Sequence, residues 1–369
     1  MADPAFQFIV TVVKRDWRFL AAILSTCGIA AIVAAFQYAV YASFGRTGAI
    51  APRMLHADFW VTASSVECFD FPSPFNEDYA ALLARYVPEA KFRRVVFGFA
   101  TWRSPAGNRG NVAVIGVDDA GVPDTGFIVD RSDLARLDLL APSRSIGKVQ
   151  FASISDTTLM PTNVTTALPT FLGAPYVVLS FDRARELLGL DSASTSYLVG
   201  NFIGPMQNLA AIKRQASQKF PDVAILSSRE FEKSSSLYWE RKTGAGAAIL
   251  LAAVLASVLM AFLLLNGLSR FIQRYHTDLI SILGHGASER DISKIVGGIG
   301  VIVATITLLL MLALTPLILF ASKPLLPWAT YQFSDMLIPT LAVSGALLIA
   351  LYVSRKAVKS YDPELVFRS

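Results

Sequence analysis

The sequence predicts an α-helical membrane protein with four transmembrane helices and one α+β domain between the first and the second. Three observations lead there. Hydrophobic residues make up 53% of the 369, and charged ones only 17%, against about 25% in an ordinary soluble domain. Four windows hold no charged residue at all: 27 positions between Arg18 and Arg46, 27 between Lys242 and Arg270, 28 between Lys294 and Lys323, and 19 between Asp335 and Arg355. A bilayer core takes roughly 20 residues of helix. Residues 44–243, by contrast, carry 21 Lys or Arg and 20 Asp or Glu, a mixed composition that can fold in water. With a mean hydropathy of +0.49, the chain is not a soluble enzyme, a disordered polymer or a secreted disulfide scaffold.

The first element is residues 1–18. Phe6, Ile9, Val10, Val13 and Trp17 recur at helical spacing ahead of Lys14, Arg15 and Arg18. This fits an amphipathic helix in the cytoplasmic interface, or a plain cytoplasmic extension of the helix after it. Transmembrane helix one covers 19–43. It is far longer than the 7–15 residues of a signal-peptide core, so it is read as a retained span. Helix two covers 244–268, helix three 295–320 and helix four 337–354. The positive flanks lie at the N-terminus, in the 269–294 loop (Arg270, Arg274, Arg290, Lys294) and in the 355–369 tail, whereas the 321–336 loop has only Lys323. The positive-inside rule then places both termini in the cytoplasm and 44–243 outside.

Within 44–243, strand and helix signals alternate. Strands are expected at Asp58–Ala63, Arg94–Trp102, Val112–Val117, Tyr176–Leu179, Thr195–Val199 and Val223–Leu226. Helices are expected at Asn76–Tyr86, Ser132–Leu137, Arg183–Leu188 (capped by Asp182, ended by Gly189), Met206–Lys219 and Ser228–Arg241, the last running straight into helix two. A faint repeat is visible. One helix ends at Val87-Pro88-Glu89 before a strand, and another at Phe220-Pro221-Asp222 before a strand. This suggests two similar α+β layers, with 105–170 inserted between them.

No catalytic pattern emerges. The serines lack a Gly-x-Ser-x-Gly context, and Asp118-Asp119 reads as a solvated turn. Trp60, Trp102, Phe97 and Phe99 read as core, and Gly107-Asn108-Arg109-Gly110 as a hairpin turn. His56, His276 and His285 show no metal-ligand spacing. Cys27 and Cys68 fall in different environments, so no disulfide is implied. No catalytic residue, cofactor or metal is therefore expected. The near-balanced charge of 44–243 sets nucleic acid aside. The absence of charge in the spans argues against an ion-coupled transporter, and no P-loop is present. Ala253, Ser257 and Ala261 stand four apart on helix two, a small-residue face suited to helix packing; Ala30/Ala34 and Ala31/Ala35 do the same on helix one.

The loop between helices two and three contains Thr277-Asp278-Leu279-Ile280-Ser281-Ile282-Leu283-Gly284-His285-Gly286-Ala287-Ser288. This reads as a short helix broken by Gly-His-Gly, with Leu279, Ile282 and Leu283 on one face. Ser288 then caps the next helix, with Asp291 three residues on. The line resembles the second cytoplasmic loop of FtsX-like permeases of ABC transporters, which reads Arg-Glu-(apolar)-Gly-x-Leu-x-Ala-Leu-Gly-Ala-Ser. Asp278, Ile282, Gly286, Ala287 and Ser288 match it. Thr277 stands for the usual Arg, Ile280 for the first Gly, Leu283 for a polar residue and Gly284-His285 for Ala-Leu. The tail Tyr361-Asp362-Pro363-Glu364-Leu365-Val366-Phe367-Arg368 is similar to the closing Asp-Pro-Ala-Glu-x-x-Arg of the family. Ala57-Asp58-Phe59-Trp60-Val61 resembles the opening strand of its DevC branch.

The resemblance implies a MacB-type periplasmic domain and a permease subunit of the inner membrane. A separate ABC ATPase would bind the loop through Asp278, Leu279, Ile282, Leu283, Gly286, Ala287 and Ser288. The permease would form a dimer, work with a HlyD-type periplasmic adaptor, and drive export by mechanotransmission. A helix continuous from Ser228 to Leu268 would carry the motion, with Gly244 and Gly246 as its weak points. Two other readings remain open at this stage: an FtsX-like regulator of an extracytoplasmic cell-wall hydrolase, and a membrane-anchored binding protein.

Overall fold

The computed structural model describes residues 4–104, 107–139, 149–152, 157–171, 173–204 and 209–358. In chain order the first elements are α1 (Pro4–Arg15), α2 (Trp17–Thr47), α3 (Ile50–Met54), β1 (Phe59–Ala63), β2 (Phe75–Asn76), α4 (Tyr79–Tyr86), β3 (Ala90–Arg103) and β4 (Arg109–Val117). Then come β5 (Gly126–Asp130), β6 (Val149–Ala152), β7 (Thr157–Thr165), β8 (Tyr176–Ser180), α5 (Phe181–Leu188), β9 (Ser194–Thr195), β10 (Tyr197–Phe202), α6 (Leu209–Lys219) and β11 (Val223–Ser227). The chain continues with α7 (Ser228–Leu237), α8 (Gly244–Arg274), α9 (His276–Gly284), α10 (Glu289–Ser322) and α11 (Leu337–Val358). Two units result. One holds the described residues up to Ser43, Ala247–Pro324 and those from Ala329 onward. The other holds Phe44–Gly246 and Leu325–Trp328.

In the helical unit, the charge-free windows lie in α2, α8, α10 and the helix that includes α11, four segments long and apolar enough to cross a membrane. Helix α2 runs past its window at both ends, α8 only at its C-terminal end and α10 only at its N-terminal end, where Arg, Gln, Glu and Lys are good helix formers. Ala30, Ala31, Ala34 and Ala35 are buried on α2, so its small residues serve packing within the chain. Ile23 of α2 lies against Gly267 of α8, and Ile9 of α1 against Gly298 of α10. The helix α1 is therefore docked through Val12, Ile9 and Ala5 rather than a continuation of α2. Its break falls at Asp16, while Phe6 and Trp17 stay exposed.

The other unit is built on a nine-stranded sheet of order β11-β1-β10-β3-β4-β8-β5-β7-β6. Its first four strands are all antiparallel. With α4 following β1 and α6 following β10, they form a split βαβ motif repeated twice. The two helix–Pro–acid–strand signals are its two helix-to-strand corners, α4 to β3 and α6 to β11. Both helices pack on one face, where Leu83, Val87, Ala216 and Phe220 meet Phe59, Val61, Leu198 and Ile225. The inserted strands do something the sequence did not suggest. Since β6 also pairs with β3, the run β3-β4-β8-β5-β7-β6 closes on itself as a barrel. Closure leaves these strands without an open edge. Val96, Val114, Phe127, Val129, Leu159, Val177 and Leu179 fill the interior together with Phe181, Ala184 and Leu187 of α5.

Several local expectations need correction. Residues 75–76 form the strand β2, and α4 begins only at Tyr79, after Asn76 has accepted a hydrogen bond from the Asp78 N–H at 2.8 Å. Residues 131–133 form one 3-10 turn. Helix α5 starts at Phe181 with Ser180 at its N-cap, and Asp182 instead pairs with Arg185 at 3.0 Å. Asp118 is not merely solvated: it takes both Nε and Nη2 of Arg94 at 3.0 Å. Phe99 is 56% exposed, whereas Trp60, Phe97 and Trp102 are buried. The start of the expected 206–219 helix, at 206–208, and the family-like tail at 361–368 lie outside the described residues.

Candidate coupling segment and the Trp239 node

The loop between the second and third long helices is built as a closed unit. Helix α9 begins directly after Tyr275, whose hydroxyl donates to Asp16 at 2.5 Å while Arg274 Nε donates to the same carboxylate at 3.1 Å. These two bonds hold Asp16 below the usual carboxylate range. Tyr275 also stacks edge-on against Phe8 of α1 at 5.9 Å. The start of α9 is thus fixed by α1 and by the α1–α2 junction.

The end of α9 explains its glycine. Gly286 N–H donates to Leu283 O at 3.0 Å and Ala287 N–H to Ile282 O at 3.2 Å, the paired bonds of a Schellman closure. This closure needs a left-handed residue, and Gly286 has φ +96°. Two residues later Asp291 accepts from the Ser288 N–H at 3.1 Å and from its hydroxyl at 2.8 Å, which starts α10. Leu279 is buried at 4% exposure. Ile282, Leu283 and Ala287 are half-buried, and Asp278, Gly286 and Ser288 are exposed. The apolar side of α9 therefore points largely into its own chain. Outward it offers Asp278, Ser281, His285 and the turn itself.

The face Ala253, Ser257 and Ala261 lines an apolar groove of about 500 Å³ between α8, α2 and α11, with Tyr38, Ala342 and Ile349. Ser257 satisfies its hydroxyl on Ala253 O at 2.8 Å, so the groove presents no free polar group from that side chain. Of the four long helices, α8 buries the smallest share of itself.

A second constellation was not visible in the sequence. Helix α7 is capped by Ser227 and Glu230, then passes into a π-helical stretch, Tyr238–Lys242, and breaks at Thr243, which is extended with ψ 140°. The expected uninterrupted helix from Ser228 into the second long helix does not form. The break is packed rather than loose. A Cβ on Gly246 would lie 2.6 Å from the backbone oxygen of Trp239, so only glycine lets α8 start there. Trp239 lies against Gly48 at the end of α2 and edge-on to Phe44 at 6.1 Å and Phe171 at 5.2 Å. Trp328, from the segment between α10 and α11, meets Phe44 at 5.6 Å.

The Trp239 indole N–H donates to Asp70 Oδ2 at 2.8 Å, and the Tyr176 hydroxyl donates to Asp70 Oδ1 at 3.1 Å. Burial pushes the Asp70 carboxyl up to about 6, against the opposing pull of these two donors. Burial also pushes the Cys68 thiol up to about 12, helped by the Asp70 charge. Beside it, Tyr197 donates to Phe69 O at 2.7 Å, and Trp60, Phe69 and Phe231 surround it. Segments that continue into α2 and into α8 therefore meet at one tryptophan anchored on a buried carboxylate, and the α10–α11 connection joins them through Phe44 and Phe171. A buried Trp with a polar handle needs such a partner, but nothing in local sequence pairs residue 70 with residue 239.

No protein-family model matches the chain, and no curated protein does. Among solved structures the chain is similar to the periplasmic region of MacB from Actinobacillus actinomycetemcomitans. The likeness has 6% identity and a TM-score of 0.34 and covers 50% of this chain and 94% of that one. It is also similar to the extracellular domain of the noncanonic ABC-type transporter YknZ from Gram-positive bacteria, with 10% identity and a TM-score of 0.31, covering 46% of this chain and 99% of that one.

Proposed function

We propose that the chain is a permease-type subunit that couples ATP hydrolysis on a separate ABC ATPase to shape changes of its 44–243 domain. The observation that carries this reading is α9: a short helix pinned at its start by Asp16 and closed at its end by Gly286, set between two long apolar helices. A rigid, surface-presented helix is something a partner can push. The loop Gly286-Ala287-Ser288, with Asp278 and Ile282, keeps the residues through which the chain resembles FtsX-like permeases. Asp278, Ser281 and His285 make the outward contact, while Leu279, Ile282 and Leu283 transmit it into the bundle.

In this reading the 44–243 domain is periplasmic, both termini are cytoplasmic, and the four long helices cross the inner membrane. The permease works as a dimer with a HlyD-type adaptor, and the motion drives export. Because Thr243 interrupts the helix, the motion cannot pass along one continuous rod from Ser228 to Leu268. It passes through the Trp239 node, where packed aromatic rings and the Asp70 bond join the segments leading to three of the helices.

The test is co-purification from mild detergent. A P-loop ATPase should accompany the wild-type chain and be lost with Asp278→Arg, an exposed change that leaves the packing of Leu279 intact. If no ATPase accompanies the wild type, the coupling reading fails.

A further inference from the structure

The outer wall of the barrel carries a depression of about 390 Å³, within the size range of small-ligand sites. Its floor is Val117, Ile128 and Val178. Ile128 and Val178 are cross-strand partners, and Val117 pairs with Ser180, two residues along β8 on the same face. Met54 and Leu55, at the end of α3, form one side. The rest of the lining is mixed, with His56, Asp119, Asn163 and Thr165, and Arg93 supplies its fixed positive charge.

Consecutive residues on a strand point to opposite faces, so Arg93 and Arg94 of β3 meet different surroundings. Arg94 directs its donors at carboxylates, Asp118 at 3.0 Å and Glu77 at 2.9 Å. Arg93 meets none. Its Nη2 donates to Leu55 O at 2.8 Å and to Asn201 Oδ1 at 3.2 Å, both neutral. Among the described residues its Nε and Nη1 have no hydrogen-bond partner. The acid nearest in the depression, Asp119, is already paired with Lys91 at 3.0 Å. An arginine held by two neutral acceptors on Nη2, its Nη1 unmatched beside an apolar floor, is complementary to a carboxylate on a small apolar body through one charge-assisted hydrogen bond.

We propose that this depression binds a small organic acid, with its carboxylate on Arg93 Nη1 and its apolar part over Val117, Ile128 and Val178. The proposal stands independently of the coupling reading. Two sources share this chemistry, a short acyl chain and the C-terminus of an apolar peptide.

The full chain in lipid nanodiscs is titrated with hexanoate and with N-acetylleucine, and with the neutral hexanamide and N-acetylleucinamide, against empty nanodiscs. The result expected is saturable binding of at least one acid, with its amide about tenfold weaker or worse, as a lost charge-assisted pair implies. Arg93→Gln should weaken the acid by a similar factor. Ile128→Phe, which fills the floor and keeps Arg93, should also abolish binding while the thermal midpoint stays near wild type. Lys219→Gln, outside the depression, should change nothing. Preference for hexanoate assigns an acyl chain, and preference for N-acetylleucine a peptide terminus. Absence of saturable binding of both acids, equal binding of acid and amide, or undiminished binding to Arg93→Gln would each overturn the proposal.

Discussion

Trp239 donates its indole N–H to Asp70 across 2.8 Å, joining residues 169 positions apart and tying the segment before α8 to the loop between β1 and β2. That anchor holds a carboxylate out of water.

Asp70 makes the stability of the α/β unit depend on pH. Its carboxyl is raised to about 6 by burial, while an unfolded Asp titrates near 3.9. The folded state thus binds more protons between those values. The stabilising contribution is complete below about pH 4 and is lost as pH rises through about 6. Asp133, raised to about 6 chiefly by burial, acts with the same sign. Thermal unfolding should therefore move to higher temperature as pH falls from 7 to 5, with Asp70 contributing on the order of 1–2 kcal/mol. Asp70→Asn should remove roughly half of that pH slope and leave the part due to Asp133.

Gly244 and Gly246 look equivalent in the sequence and are not. A Cβ at 246 meets the backbone of the π-helical stretch, which cannot move aside, whereas a Cβ at 244 meets nothing within 4 Å. Gly246→Ala should cost about 1–3 kcal/mol, as overpacking does, and Gly244→Ala should stay within about 0.5 kcal/mol. Fluorescence-detected thermal melts of the two variants, run side by side, check the difference.

The turn after α9 offers a matching pair. Gly286 holds φ +96°, but Gly284 is helical with open space around it. Gly286→Ala should destabilise the Schellman closure by about 1–2 kcal/mol, and Gly284→Ala should tighten the helix. Amide exchange over 284–288 should accelerate at least several-fold in the first variant and slow in the second.

How far the sequence led can be seen at particular residues. Charge-free windows found the four long helices because a bilayer-length run of apolar side chains has few other uses. Pro88 and Pro221 marked the two corners of the split βαβ repeat, since proline stops a helix through purely local sterics. Ser288 and Asp291 declared a cap for the same reason. The barrel was hidden, because pairing of β6 with β3 is a long-range event that no periodicity records. The break at Thr243 was missed as well: the residues before it are good helix formers, and Trp239 leaves regular helix only where Asp70, Gly48 and Phe44 are in place. Arg93 and Arg94 read as one basic pair until the strand sends them to opposite faces.

The central claim, that α9 is where an ATPase engages this chain, is tested most directly by site-specific cross-linking. A single cysteine is placed at the exposed Ser281, the closest match in size, in the full chain and treated in membranes with a short maleimide that carries a photoreactive diazirine. Native Cys27 and Cys68 are both about 1% exposed, so the new thiol is the accessible one. The account predicts a cross-linked product containing a P-loop ATPase, with a yield that changes on adding ATP. An efficiently labelled cysteine that yields no ATPase adduct, with or without nucleotide, would contradict it.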